Sequence, residues 1–507
     1  MAKLKPSAPG LKFAPGVLIL AVAMVAAAGT LGAQRQPTPD EARSELQRAE
    51  RSFSEARYED AYRRYNEVLG AGDQELGIAA LKGMIRSGLR LSSFQIARRE
   101  AEALHAVTED ADALTLYSDA LWGDGMFDEA EAAAAAALER YPDSPRARFG
   151  VARSLAARGR LDEAMRETLT AATAAPGDSE ILVLLAQLHE RRFQYEDAIR
   201  VYEDYVDLLP RRIRDEGEAA KIKIRLLSSF RGRTPVAFEG ADRLHTVPFT
   251  MRNKKVVFDA QLNGKPVEFV LDTGAEQTAI TRATASRAGV REIVETLITG
   301  VGPPSLRKLA VGRADSLTIG GLTIRDFPVS IRRENIPGSE PWQNEAFSPA
   351  SFGLSVVVDY RRQEVTLGRE LPQEPADFRL PLRVYRLPLV RGLLNGQHPA
   401  YFVVDTGGEL MSISKETATQ LAMRPPRTIP IKVWGVTGLD PDAFLLPGVN
   451  LSFDQIEYRN TGVAVLNLRP PSVLLGFQLG GILGYKFLGG YRVGMDFARG
   501  ELRLSEL

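Results

Sequence analysis

Hydrophobic and polar positions follow two different periods in the two halves of the chain. Between about residues 40 and 212, apolar side chains recur three to four positions apart, which is the period of an amphipathic helix. After the polar segment 231–235, the pattern changes to the alternation that is typical of strands. The pattern therefore predicts a helical first half and an all-β second half.

The helical half repeats itself every 34 residues. Three features keep this interval: a large apolar or aromatic residue, an alanine three positions later, and a closing proline. In chain order they are Phe127, Ala130 and Pro142, then Leu161, Ala164 and Pro176, then Tyr195, Ala198 and Pro210. Two looser copies upstream contain Ala61 and Ala97. Alanine lets two helices approach closely, and proline ends the second helix of each pair.

These features resemble the tetratricopeptide repeat over about 170 residues. The resemblance implies an array of helix pairs at 40–232, closed by a capping helix at 215–230. Such arrays present a concave groove that binds a peptide or a partner protein. The alternative is a spacer that only positions the next domain, and fold alone does not decide between the two.

The β half is duplicated. Each copy contains an Asn-Gly hairpin signal, a strand, and an Asp-Thr-Gly tripeptide directly after that strand. The copies are Asn263-Gly264 with Asp272-Thr273-Gly274, and Asn395-Gly396 with Asp405-Thr406-Gly407. One such tripeptide would be weak evidence, because about one chain in ten of this length contains it by chance.

The flanking residues make the duplication specific. Thr281 and Ser414, nine positions after each aspartate, are expected to cap short helices. Glycine turns follow at 300–302 and 435–438, strands are predicted to start near Leu317 and Leu451, and hairpins at 358–367 and 495–504 end the two copies. The aspartates of these hairpins, Asp359 and Asp496, are predicted to be turn or surface residues.

The region from about 245 to 507 resembles the retropepsin-like and pepsin-like aspartic proteases. The resemblance implies a bilobal all-β fold with lobes at 245–372 and 373–507, and a complete catalytic pair in one chain. It implies Asp272 and Asp405 as catalytic residues, braced by the threonines and glycines that follow them: Thr273, Gly274, Thr406 and Gly407. The two glycine turns become candidate flaps, formed by Gly300, Val301, Gly302, Trp434, Gly435 and Val436. Trp434 is expected either to pack on substrate or to be buried in the barrel.

Two carboxyl groups in contact can cleave an amide without metal. They cannot both ionise, so they share a proton; one activates water and the other protonates the substrate. Pepsins place Ser or Thr after the motif, whereas this chain has Ala275 and Gly408. Without hydroxyl groups to stabilise the charged form, we expect raised pKa values and a pH optimum of about 5 to 6. A pH–rate profile that peaks below about pH 3 would contradict this expectation.

One stretch differs between the copies. The second has Ile482-Leu483-Gly484, whereas the first has Ala346-Phe347-Ser348-Pro349. Without the glycine, the sequence does not determine how the strands pack beneath the Asp272 loop. The leading hypothesis is an exported single-chain aspartic endopeptidase whose helical repeats present or recruit substrate. Two further hypotheses are a catalytically inactive peptide-binding or scaffold protein, and an envelope-assembly scaffold in which the protease domain is incidental.

The amino-acid composition excludes several kinds of catalytic and metal site. The 507 residues include no cysteine and four histidines, which excludes a cysteine nucleophile and a Cys-ligated metal and disfavours a His-rich metal cage or a Ser-His-Asp triad. We expect no metal, and no lipid or nucleotide cofactor, since no phosphate-binding glycine loop is present. The formal net charge of zero gives no electrostatic argument for nucleic acid as a partner. Peptide or protein is the expected substrate.

The first 33 residues predict export. Lys3, Lys5 and Lys12 precede an apolar run at 17–28, which is the layout of a secretory signal with a cleavage point after Ala33. The competing interpretation is an uncleaved membrane anchor at 13–33. Either way the rest of the chain is expected to be exported, as a periplasmic or secreted protein.

Overall fold

The computed structural model describes residues 37–209, 214–302, 307–333, 335–336, 338–421 and 429–507. Helices occupy the described chain as far as Ser228, and strands predominate from Ala237 onward, which confirms the predicted fold class. The predicted signal or anchor at 1–33 and the repeat proline Pro210 lie outside the described residues. Within the described part, no helix combines the length and the hydrophobicity needed to cross a bilayer.

The chain divides into two compact units, Met1–Ala120 and Leu121–Leu507. The helices of the first half keep the 34-residue interval: α5, α7 and α9 begin 34 residues apart, as do α6, α8 and α10. Their bounds are α1 Pro39–Ser54, α2 Tyr58–Leu69, α3 Gln74–Arg90, α4 Phe94–His105, α5 Ala111–Gly123, α6 Phe127–Arg140, α7 Pro145–Ala157, α8 Leu161–Ala174, α9 Ser179–Arg191, α10 Tyr195–Leu208 and α11 Arg214–Ser228.

The repeated alanines of these helices are buried. Ala130, Ala164 and Ala198 are at most 1% exposed. Helices α6 and α8 each end two residues before their closing prolines, Pro142 and Pro176, because proline cannot continue the backbone hydrogen-bond ladder.

The turn between the helices of a pair uses a left-handed residue. Gly125 and Gly159 have φ of 75° and 78°, and Phe193 keeps the same conformation at φ 59° although it is not glycine. The two glycines also allow close packing, since a Cβ on Gly125 would lie 2.4 Å from the Gln478 carbonyl oxygen. The β half therefore approaches the repeats closely at these turns.

Where the structure describes the β half, it contains four short helices and two 3₁₀ turns besides its strands. The strands are β1 Ala237–Glu239, β2 His245–Pro248, β3 Thr250–Arg252, β4 Lys255–Leu262, β5 Lys265–Leu271, β6 Ala279–Thr281, β7 Arg291–Ile298, β8 Arg307–Ile319, β9 Leu322–Arg332, β10 Ala346–Phe347, β11 Ser355–Asp359, β12 Glu364–Gly368, β13 Phe378–Tyr385, β14 Leu387–Leu394, β15 His398–Val404, β16 Met411–Ser414, β17 Ile429–Pro430, β18 Val433–Gly435, β19 Gly438–Asp440, β20 Phe444–Phe453, β21 Ile456–Leu466, β22 Gly481–Leu483, β23 Tyr491–Asp496 and β24 Glu501–Glu506. The helices are α12 Arg282–Ala288, α13 Lys415–Gln420, α14 Arg469–Leu475 and α15 Tyr485–Leu488, and the 3₁₀ turns are Pro341–Asn344 and Pro349–Phe352.

The described strands form two main sheets that follow the sequence duplication. The first sheet contains β1 and β3–β10, and the second contains β13–β17 and β20–β24 together with β2, β11 and β12 from the first copy. Strands β11 and β23 pair antiparallel, so the closing hairpins of both copies lie in one sheet. Buried apolar side chains from both copies form one core cluster.

Two sequence expectations about these strands need correction. The strands predicted to start near Leu317 and Leu451 begin earlier, at Arg307 and Phe444. Asp496 is a turn residue, accepting a hydrogen bond from the Arg499 amide, but it is wholly buried rather than at the surface. Ion pairs with Arg499 and Arg503 compensate for its burial.

Helices α6, α7 and α11 pack directly on the β half within the unit Leu121–Leu507. The buried guanidinium of Arg383, on β13, forms ion pairs with Asp128 and Glu131 of α6. Trp122 packs edge-on against Tyr385 with ring centroids 5.1 Å apart. Removing one partner of a buried ion pair typically costs about 3–5 kcal/mol, so this contact holds the repeats firmly against the β half.

Candidate active site

The two predicted catalytic aspartates lie at equivalent positions in the two copies. Asp272 follows β5 and Asp405 follows β15, each after a hairpin whose Asn-Gly turn has both residues at positive φ. The amide of Asp272 donates to the Phe347 carbonyl at 2.9 Å, and the amide of Asp405 donates to the Leu483 carbonyl at 3.0 Å. Both loops are thus anchored by the same backbone bond.

The two threonines tie the loops together across the interface of the copies. The Thr273 amide donates to the Thr406 hydroxyl at 3.1 Å, and the Thr406 amide donates to the Thr273 hydroxyl at 3.0 Å. Each hydroxyl in turn donates to a carbonyl of the opposite strand, Val404 at 2.6 Å and Leu271 at 2.7 Å. Four buried hydrogen bonds therefore hold the two aspartates at a fixed separation.

Each glycine of the motif packs on the aspartate of the other copy. A Cβ on Gly274 would lie 2.5 Å from Cγ of Asp405, and a Cβ on Gly407 would lie 2.8 Å from Cγ of Asp272. Space for the opposite carboxyl, rather than backbone conformation alone, is what requires glycine here. The Gly407 amide also donates to Oδ1 of Asp405 at 2.8 Å.

The carboxyl groups of Asp272 and Asp405 lie close together, since each packs against the glycine of the opposite motif and the charge of Asp272 acts on Asp405. Burial raises the pKa of Asp272, and burial together with repulsion from Asp272 raises the pKa of Asp405 to about 7. The direction agrees with the expectation drawn from Ala275 and Gly408. The largest cause is burial, however, rather than the absence of a hydroxyl group.

Two cations that the sequence analysis did not identify lie close to this pair. Lys255, the first residue of β4, donates to the carbonyl of Gly407 across the interface, and its charge lowers the pKa of both aspartates. Arg332, at the end of β9, lowers the pKa of Asp272. The sequence positions of Lys255 and Arg332 do not predict that they lie near the aspartates, because strand pairing brings both residues to the site.

The candidate flaps lie in contact with each other. The Thr437 amide donates to the Val301 carbonyl at 3.2 Å, and a Cβ on Gly300 would lie 3.2 Å from Cβ of Val436. The second turn is a hairpin of β18 and β19 in which Gly435 pairs with Gly438. Gly302 packs against this hairpin, where its Cβ would meet the Thr437 hydroxyl at 2.5 Å.

Trp434 lies on the cleft side of the second turn. Its side chain is among the exposed large hydrophobic residues, at 50%. The interpretation of Trp434 as a residue buried in the barrel is therefore wrong.

The stretch that differs between the copies has the same role in both. Strand β10 pairs parallel with β5 just as β22 pairs with β15, although Ser348 stands where the second copy has Gly484. The Ser348 hydroxyl donates to the Ala275 carbonyl at 2.6 Å and so joins the Asp272 loop. The altered stretch leaves the strand arrangement beneath Asp272 intact.

Glu345 supports the same loop and was not identified from the sequence. It is 7% exposed, and its carboxylate accepts bonds from the Thr281 amide at 2.9 Å, the Thr281 hydroxyl at 2.7 Å and the Thr284 hydroxyl at 2.6 Å. In the second copy, the Gly480 carbonyl accepts the bonds from the equivalent residues Ser414 and Thr417. Thr281 and Ser414 also cap α12 and α13, as predicted.

The aspartates open onto a cleft of about 1920 Å³. Its walls include five of the six candidate flap residues, Gly302 being the exception, and also residues of α9, α10 and α11. The volume is about twice the upper end of the usual range for small-molecule pockets, roughly 1,000 Å³. The arrangement provides a proton-sharing carboxyl pair at the floor of a cleft large enough for a polymer.

Family comparisons agree with both halves. The family model described as aspartyl protease matches residues 258–344 and 390–487, and the tetratricopeptide repeat model matches residues 115–179. No curated protein matches the chain.

Similar solved structures are repeat proteins. A thermophilic TPR protein of Thermus thermophilus is 19% identical, with a TM-score of 0.32, over 36% of this chain and 99% of its own. YrrB, a TPR protein with an unusual peptide-binding site, is 21% identical, with a TM-score of 0.23, over 33% of this chain and 86% of its own. The chain thus carries an aspartyl protease domain, matched in both of its Asp-Thr-Gly copies, together with tetratricopeptide repeats.

Proposed function

We propose that the protein is an exported, single-chain aspartic endopeptidase that hydrolyses peptide bonds with a water molecule activated by Asp272 and Asp405. The observation that carries the proposal is the pair of neighbouring, electrostatically interacting carboxyl groups, one from each copy, at the floor of a polymer-sized cleft. A site of this kind can perform acid and base catalysis at once.

The environments of the two carboxyls suggest their roles. Asp405 has a pKa of about 7 and holds the shared proton in mild acid, whereas Arg332 favours the ionised form of Asp272. Asp272 takes a proton from water while the water oxygen attacks the scissile carbonyl carbon. Asp405 gives its proton to the carbonyl oxygen, and a neutral tetrahedral diol forms.

Collapse of the diol completes the reaction. Asp272 gives its newly acquired proton to the amide nitrogen, the carbon–nitrogen bond breaks, and Asp405 recovers a proton from one hydroxyl of the diol. The products are an amine and a carboxylic acid, and the pair again shares one proton. No covalent enzyme intermediate is required.

The surrounding residues hold this geometry. The buried bonds of Thr273 and Thr406 fix the distance between the carboxyls, since a misplacement of about 1 Å can reduce a rate by roughly 100-fold. The flaps close over the peptide and exclude water, and Trp434 packs on the substrate chain. The inactive-scaffold hypothesis loses its supporting observation, because the altered stretch keeps the strand pairing beneath Asp272.

Export follows from the N-terminal segment, whether the signal is cleaved after Ala33 or residues 13–33 remain as an anchor. Sequencing the N-terminus of the protein recovered from the cell envelope and the medium separates these outcomes. An N-terminus at Gln34 indicates cleavage, and an intact N-terminus in the membrane fraction indicates an anchor. Recovery in the cytoplasm alone would contradict export.

The activity test uses an unfolded protein and a peptide library from pH 3 to 8, with wild type and Asp272→Asn. We expect cleavage by wild type only, in mild acid. Equal lack of cleavage by both proteins would favour a scaffold. A second test is dilution: activity per mole should stay constant if both carboxyls come from one chain, and a steep loss would indicate an intermolecular site.

A further inference from the structure

The cleft is not built by the protease copies alone. One wall consists of residues from the inner face of α9 and from α10 and α11, including Val183, Gln187, Tyr202 and Lys223. All of its lining residues belong to the compact unit Leu121–Leu507. We call this surface the repeat wall. It is continuous with the floor that carries the two aspartates.

Charged groups connect the repeat wall to the Asp272 loop. Lys223 forms an ion pair with Glu190 at 2.8 Å, and Glu190 accepts a hydrogen bond from the Tyr202 hydroxyl at 2.5 Å. Beside them, Arg386 binds Glu276 through two bonds of 2.6 and 2.7 Å. Glu276 lies four residues after Asp272, so these charged groups place the repeat wall next to the Asp272 loop.

The two ends of the cleft differ in their contacts with charged groups of the repeats. Glu409 occupies in the second copy the position that Glu276 occupies in the first. Both are exposed, but among the described residues Glu409 has no ion pair, whereas Glu276 pairs with Arg386 and lies beside Lys223 of the repeats. The charged groups of the repeats therefore lie beside the Asp272 loop.

The lining of the cleft is basic. Apart from the two aspartates, it contains nine Lys or Arg side chains and four Asp or Glu side chains. Lys254 and Lys432 are exposed and form no ion pair with the described residues. A basic cleft concentrates acidic ligands and raises their rate of association.

We propose that the repeat wall is an extended substrate-binding site that holds an unfolded, acidic polypeptide segment on one side of the scissile bond. This inference rests on the proposed function in taking the cleft as the place of cleavage. Continuity with the aspartates, the cleft volume and the basic lining support this occupant. The repeat wall need not recognise a folded protein to act in this way.

The test measures binding of two fluorescent 20-residue peptides to the Asp272→Asn protein, which cannot consume them. One peptide has Glu at every fourth position, and the other has Gln at the same positions. We expect tighter binding of the Glu peptide and a loss of that preference in high salt. Lys223→Met and Gln187→Glu should each weaken its binding about twofold to fivefold, as expected for a partly exposed charge.

Lys221→Met is the matched control. Lys221 lies on the same helix two residues away, is exposed and lies outside the cleft lining, so its replacement should leave binding unchanged. Equal affinity for both peptides, or equal effects of Lys221→Met and Lys223→Met, would overturn the proposal. Melting temperatures of the variants identify a loss caused by misfolding, in which case Gln187→Glu decides.

Cleavage by wild type separates this inference from the proposed function. Cleavage of a 20-residue acidic peptide and of its central six residues with equal kcat/KM would refute the repeat wall and leave the protease intact. Absence of cleavage at every pH, with the binding preference retained, would refute the protease and support the wall as a binding site.

Discussion

Asp405→Asn should stabilise the protein at alkaline pH. Burial and the neighbouring Asp272 raise the pKa of Asp405 from 3.8 to about 7, so ionisation is costlier in the folded than in the unfolded protein. Because the folded pKa lies above the unfolded value, the stability from this group is fully present below pH 3.8 and is lost as the pH rises through 7. A tenfold change in proton affinity corresponds to about 1.4 kcal/mol, which gives a loss of about 4 kcal/mol by pH 8.

Asparagine removes this loss because it remains neutral at every pH. It can also keep the bond from the Gly407 amide. Unfolding of the 387 residues of Leu121–Leu507 has an entropy of roughly 0.8 kcal/mol/K, so 4 kcal/mol corresponds to a melting temperature difference of about 5 °C.

Thermal unfolding followed by intrinsic fluorescence at pH 4 and pH 8 provides the assay. We expect Asp405→Asn to melt about 5 °C above wild type at pH 8, with little difference at pH 4. Asp442→Asn is the control, because Asp442 is 63% exposed and pairs with Lys415 at the surface. The reasoning fails if Asp405→Asn changes the melting temperature equally at both pH values, or lowers it at pH 8.

Three further substitutions test separate parts of the site. Gly274→Ala should reduce kcat by at least about 100-fold, because the added Cβ would overlap the carboxyl group of Asp405. Gly490→Ala is the control and should leave kcat unchanged, since there is open space around Gly490. Comparable activity of the two variants would contradict the packing. Lys255→Met should shift the acidic limb of the pH–rate profile to higher pH, since Lys255 lowers the pKa values of both catalytic aspartates. An equal shift in Lys254→Met would show that Lys255 has no specific effect on the pair. Glu345→Ala should lower the free energy of unfolding by about 3 kcal/mol in urea titration, as three hydrogen bonds are lost, and a loss below about 0.5 kcal/mol would show that they do not contribute.

Features with local causes could be predicted from the sequence. The 34-residue interval predicts the helix pairs because alanine packing and proline termination act within one repeat. The Asn-Gly turns predict their hairpins because both residues accept positive φ, and Thr281 and Ser414 predict helix starts because their hydroxyls bind amides three residues on.

Features that depend on distant contacts could not be predicted. Lys255 reaches Gly407 only because two copies of the fold meet, and Glu345 replaces a backbone carbonyl of the other copy, which no local rule anticipates. The contribution of the repeats to the cleft depends on how α9 and α11 pack on the β half. The burial of Asp496 could not be predicted because its partner Arg503 lies on the next strand.

The central claim is that Asp272 and Asp405 of one chain hydrolyse peptide bonds. Its most direct test is the kcat/KM for cleavage of an unfolded protein near pH 5 to 6 by wild type and by Asp272→Asn, with melting temperatures showing that both are folded. We predict a loss of roughly 100- to 10,000-fold in the variant. Equal cleavage by the two folded proteins would contradict the claim.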